Sequence, residues 1–119
     1  YRITKRKLVQ ITRDHSLVQD MVDRGEISAE EARTHPRRNV ITRALGVDEN
    51  VPCDIFKPRL SRGDMLLLCS DGLTNMLEDR EIFELSKHNP DPLSLGRALM
   101  AEALERGATD NVTVVIISK

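Results

Sequence analysis

The chain has 119 residues, the length of one domain or of part of one, and enough to bury a core. Eighteen basic against nineteen acidic side chains give a formal charge of −1 with no basic stripe, so electrostatics point away from nucleic acid. No apolar run approaches the roughly 20 residues of a membrane span, and the opening "YRITKRKL" lacks the apolar stretch of a secretion signal, so a cytoplasmic protein with no membrane partner is expected.

From the start, "YRI" reads as the end of a strand, "TKRK" as a hairpin turn, and Leu8 to Thr12 as a half-buried strand that alternates apolar with polar. Leu17, Val18, Met21 and Val22 recur at helical spacing before Gly25, a left-handed terminator. Ser28 and Glu31 stand at capping-box spacing ahead of a second short helix that ends at Pro36. "NVITRALG" and "VPCDIFKPRL" read as two β segments, the second an edge or bulged strand because of Pro52 and Pro58. "RGD" forms a turn into "MLLLCS", a continuous apolar run that predicts a strand covered on both faces, with Cys69 a buried, reduced thiol. Cys53 and Cys69 show no CxxC spacing and no disulfide framework.

Glu78 to His88 and Leu93 to Arg106 have helical periodicity, with Asp79 and Asp91 as first-turn or capping acids. The closing "DNVTVVIISK" is dense in β-branched residues and predicts a strand. Helices packed on a mostly antiparallel sheet place the chain in the α+β class.

Asp71 follows the end of one predicted strand, and Asp110 precedes the start of another. If those strands are antiparallel neighbours, both acids reach one sheet edge, where facing positions lie about 4.5 to 5.5 Å apart. A parallel pair would separate them by a strand length of roughly 20 Å, and the two intervening helices allow either sense. Two carboxylates that close repel unless a cation sits between them. Oxygen ligands suit Mg²⁺ or Mn²⁺ rather than Zn²⁺. Gly72 would let the backbone approach a ligand, and the Asn111 amide could fix a carboxylate from a second layer of contacts. Taken separately, "SDG" and "DN" are also common turn and loop dipeptides, so both readings stand on the residues alone.

"LLLCSDGLTNML", "GATDNVTVVIIS" and "ITRDHSLVQDMVDRGEISAEEARTHPRRNVITRALG", in order along essentially the whole chain, resemble the bacterial metal-dependent serine/threonine protein phosphatases of the phosphatase 2C (PPM) type. The resemblance implies an antiparallel β-sandwich flanked by helices on both faces, of which this chain is about the C-terminal half. It matches Asp71 to the metal-binding aspartate of the family's "SDG" motif and Asp110 to that of its "DN" motif, with Asn111 beside it. No catalytic residue beyond these metal ligands is implied. The implied cofactor is a centre of two or more Mn²⁺ or Mg²⁺ ions, and the implied reaction is hydrolysis of phosphoserine and phosphothreonine on proteins. The partners would be phosphorylated proteins, a cognate kinase with its targets, and the missing N-terminal half of the domain or a swapped copy.

The family's bridging aspartate and glycine, a further acid and a phosphate-gripping arginine have no counterpart here, and the isolated chain is expected to be inactive. Gly63-Asp64 reads instead as a solvated turn. Residues 25–39 match the family's flap beside its cleft, where His35, Arg37 and Arg38 could meet a phosphopeptide. His15 and His88 read as helix-end residues without metal-ligand spacing. The alternative is a non-catalytic interaction or regulatory fragment. A nucleotide-binding regulator is disfavoured because no GxGxxG or GxxxxGK[ST] loop occurs.

Overall fold

A computed structural model describes residues 1–108 and 111–119. In chain order the elements are β1 (Arg2–Ile3), β2 (Leu8–Val9), α1 (Leu17–Asp23), α2 (Ala29–Thr34), β3 (Met65–Cys69), α3 (Asp71–Thr74), α4 (Asp79–His88), α5 (Pro92–Glu105) and β4 (Val114–Ser118). They fall into two units, one of Tyr1–Ile11 with Lys57–Lys119 and one of Thr12–Phe56.

The first unit carries a four-stranded sheet in the order β2-β1-β3-β4, antiparallel at every pairing. The opening hairpin is tight because the Thr4 N–H donates to the Lys7 carbonyl at 2.9 Å, while the Thr4 hydroxyl accepts from the Arg6 and Lys7 N–H groups. Strand period 2 then sorts the side chains: Ile3, Met65 and Leu67 are buried against the helices. Leu95, Leu99 and Ala103, four residues apart on α5, form a single buried stripe that meets them, and α3 and α4 add Leu73 and Ile82. Helix α5 starts where Asp91 accepts from the Ser94 N–H, with Pro92 at the first helical position. Helix α4 starts on a reciprocal Glu78/Glu81 box. Arg106 then ties both helices together, donating to Glu81, Glu102 and the Met76 carbonyl, and these two carboxylates raise its already high pKa further.

The second unit holds α1 and α2. Ser16 caps α1 by accepting from the Gln19 N–H, and Gly25, just past the helix, takes φ +71° as the terminator does. Both halves of the Ser28/Glu31 box on α2 are made. The Leu17 N–H donates to the Val40 carbonyl and the Thr42 N–H to the His15 carbonyl, which leaves a single bridge between Ser16 and Ile41.

Four expectations change. Residues 39–46 and 51–60 form no strands beyond that bridge: Ile41 is 65% exposed and Leu45 90%, so their apolar pattern has no layer to pack against. Strand β2 ends at Val9, short of Thr12. Within these 119 residues strand β3 is covered on one face only, since Leu68 is 53% exposed and Val115 and Ile117 on the adjacent β4 are exposed too; Cys69 is half-buried. Asp64 is 7% exposed rather than solvated, because Arg2 on β1 reaches it at 2.8 Å and the Ser61 N–H donates to it at 2.9 Å. The Ser61 bond, helped by Arg2 and opposed by burial, holds the Asp64 carboxyl below the usual carboxylate range.

Candidate metal centre

Strands β3 and β4 run antiparallel with Met65 opposite Ser118 and Cys69 opposite Val114. The ladder continues one step further, where the Ser70 N–H donates to the Thr113 carbonyl at 3.0 Å. The carboxyl end of β3 and the amino end of β4 therefore share one sheet edge, which decides between the two senses that chain order left open. Asp110 lies outside the described residues. Its neighbour Asn111 is at this edge: the Ser70 hydroxyl donates to the Asn111 carbonyl at 2.9 Å.

Asp71 is the first residue of α3, a four-residue helix, where the sequence reads only as a turn. Its side chain is exposed and makes no hydrogen bond or ion pair among the described residues, while its carbonyl accepts from the Asn75 N–H at 2.7 Å. A carboxylate in that position presents hard oxygen donors with no protein cation to displace, and this suits Mg²⁺ or Mn²⁺. The described residues contain no group of three or more His, Cys, Asp or Glu arranged to hold a metal. The donor chemistry fits a hard cation, and the described ligand set is partial.

Gly72 is buried, and its missing side chain is required by the chain itself. A Cβ at this position would collide with the Asn111 carbonyl oxygen and fall 3.0 Å from its carbon. Any larger residue would push the 111–112 backbone away from α3.

In the Thr12–Phe56 unit, His35 is the C-cap of α2, and its Nδ1 accepts from the Arg37 N–H at 3.1 Å. The Arg38 N–H donates to the His35 carbonyl, so the three candidates share one turn, with both arginines exposed. His15 is committed elsewhere, its Nε2 2.7 Å from Asp54 Oδ2, and this contact is the main cause holding the Asp54 carboxyl below its usual range. His88 stays at the end of α4, Nδ1 against the Glu84 carbonyl. A groove of about 280 Å³ on α4 and α5 is lined by residues such as Arg80, Glu84 and His88, none of them at the Asp71 edge.

One contributor escaped sequence reasoning. Ser70 caps its helix position without a side-chain bond to α3 and spends its hydroxyl across the sheet edge. The only signal was a serine directly before Asp-Gly at a strand end.

A family model described as Stage II sporulation protein E (SpoIIE) matches residues 25–119. The serine/threonine phosphatase stp of Listeria monocytogenes is 40% identical over 119 residues, all of this chain and 47% of its own length. Among solved structures, the PPM Ser-Thr phosphatase MsPP of Mycobacterium smegmatis superposes with a TM-score of 0.87 at 40% identity, over 99% of this chain and 50% of that one. The catalytic domain of serine threonine protein phosphatase PstP, solved in complex with 2 manganese ions, gives a TM-score of 0.81 at 38% identity, over 98% of this chain and 47% of that one. The chain thus spans about half the length of the relatives it matches.

Proposed function

The chain belongs to the bacterial PPM family of serine/threonine phosphatases, and from that premise we propose that the whole protein hydrolyses phosphoserine and phosphothreonine on proteins. In this reading Asp71 and Asp110 are ligands of one Mn²⁺ or Mg²⁺ ion, and the remaining ligands come from polypeptide outside this chain. Bound divalent ions supply a water of lowered pKa and neutralise charge on a phosphoryl group. The chain's own part is to hold Asp71 at the β3 edge with its carboxylate exposed, while Asn111 lies against the same edge. Residues 25–39 act as a substrate flap in which the exposed Arg37 and Arg38 meet phosphoprotein, guanidinium groups being suited to phosphate. Cys53 and Cys69 are not joined in a disulfide, which is compatible with a cytoplasmic site of action.

The observation that carries this reading is the antiparallel β3–β4 ladder, which brings residues 71 and 111 to one edge. A second reading, a non-catalytic interaction fragment, draws on the partial ligand set among the described residues. The two separate in an Mn²⁺-dependent assay on a phosphoserine peptide, run on the chain and on a version extended at its amino end. Activity in the extended version that Asp71→Asn lowers by at least about 100-fold supports the phosphatase. Inactivity of both versions supports the interaction role.

A further inference from the structure

Ser70, directly before Asp71, is not itself one of the acids, yet its side chain joins the two chain segments of the proposed centre. Its hydroxyl is used twice across the sheet edge, donating to the Asn111 carbonyl at 2.9 Å and accepting from the Thr113 N–H at 3.0 Å. Its backbone N–H adds a third link, to the Thr113 carbonyl at 3.0 Å. A serine at a helix N-cap ordinarily turns its oxygen onto the first turn of that helix. Ser70 makes no such bond to α3. On the other side of Asp71, Gly72 leaves room for the same Asn111 carbonyl, which sits where a Cβ would otherwise be. Asp71 is therefore flanked by two residues that both fix the 111–113 backbone, one by hydrogen bonds and one by leaving space.

We propose that Ser70 and Gly72 are positioning residues for the metal centre: together they set the separation between Asp71 and the segment that follows Asp110. The inference rests on the metal reading above. Its physical basis is that a cation shared by two carboxylates on different loops is held well only if the loops cannot drift apart. Alanine at 70 removes both side-chain links and leaves the ladder bond, so the loops stay in register but lose their fixed spacing. Threonine at 70 keeps the hydroxyl. Alanine at 72 acts from the opposite side, by driving the Asn111 carbonyl away.

The test uses the version extended at its amino end, which supplies the remaining ligands, ¹⁵N-labelled, titrated with Mn²⁺ alone and followed by paramagnetic broadening of its amide signals, which registers weak binding. In the wild type the amides of Asp71, Gly72 and Asn111 should broaden together. In Ser70→Ala the Mn²⁺ concentration that half-broadens Asn111 should rise about 10–100-fold, the usual cost of removing a residue that orients a ligand. Gly72→Ala should do the same and Ser70→Thr should restore the wild-type value, while signals from α5 and β4 report that the fold persists. Unchanged broadening of Asn111 in a folded Ser70→Ala variant overturns the positioning role, provided that Asp71→Asn abolishes it. If Asp71→Asn leaves the broadening as it was, or the wild type shows none at this edge, the metal reading itself fails and takes this inference with it. If Gly72→Ala does not fold, Ser70→Ala against Ser70→Thr still decides.

Discussion

The two units are held by different physics. In the unit of Tyr1–Ile11 and Lys57–Lys119, nine of the described residues, from the sheet and from α3, α4, α5 and the loop before α4, form one buried cluster, from Ile3 to Ala103. In the unit of Thr12–Phe56, Val18 is the only buried hydrophobic among the described residues. Caps, exposed ion pairs and polar contacts hold the rest there: Arg13 with Asp20 and Asp23, Asp54 with Arg43, the His15 Nε2 hydrogen-bonded to Asp54, and Arg43 donating to the Pro52 carbonyl. Exposed pairs of this kind contribute little, whereas truncating a buried Leu costs about 2–5 kcal/mol. The acid of the candidate centre thus stands on the unit with the buried cluster, while the candidate phosphate-binding arginines stand on one with little core, which is expected to open more readily.

The largest expected effect tests the rigid side. Leu99 is fully buried in the middle of the α5 stripe. Leu99→Ala should cost about 2–5 kcal/mol, a sizeable share of the about 5–15 kcal/mol that holds a typical domain. Urea unfolding followed by far-UV circular dichroism reads it. A loss under about 1 kcal/mol would mean that the cluster repacks freely and that the two units differ less than their burial indicates.

How much of this was legible follows the same division. The period of Leu95, Leu99 and Ala103, the Asp91 cap and the β-branched run into Ser118 are local patterns, and they produce α5 and β4 as expected. The pairing of β3 with β4 was not local. It depends on the sense in which α3, α4 and α5 return the chain, and sequence left that open. Residues 39–46 and 51–60 misled for the converse reason: Val40, Ile41, Ile55 and Phe56 have strand-like chemistry, but a strand needs a layer to pack on, and burial belongs to the fold rather than to the segment. Asp64 was misread because its partner Arg2 lies 62 positions away. Ser70 was invisible as a contributor because its two partners are backbone groups of another strand end.

A smaller effect tests the capped side. Ser28→Ala removes the oxygen that accepts from the Glu31 N–H at 3.2 Å, at a cost of about 0.5–2 kcal/mol typical of a lost N-cap. In a unit with little core that loss should be local: amide exchange in α2 should quicken while α5 keeps its protection. Matching acceleration in both helices would show that the two units unfold together and would weaken the contrast.

The smallest expected effect sharpens the same contrast from the surface. Leu45 is 90% exposed, on a stretch without strand or helix, so replacing it removes almost no buried apolar area. Leu45→Ala should change stability by no more than about 0.5 kcal/mol, as surface substitutions away from caps and cores do. Placed beside Leu99→Ala, it compares one residue type at two positions, and the ratio of the two losses in the same urea measurement isolates burial from chemistry. A loss at Leu45 approaching that at Leu99 would mean that this side chain is covered in solution, and the description of the Thr12–Phe56 unit as held by polar contacts would then fail at its most exposed point.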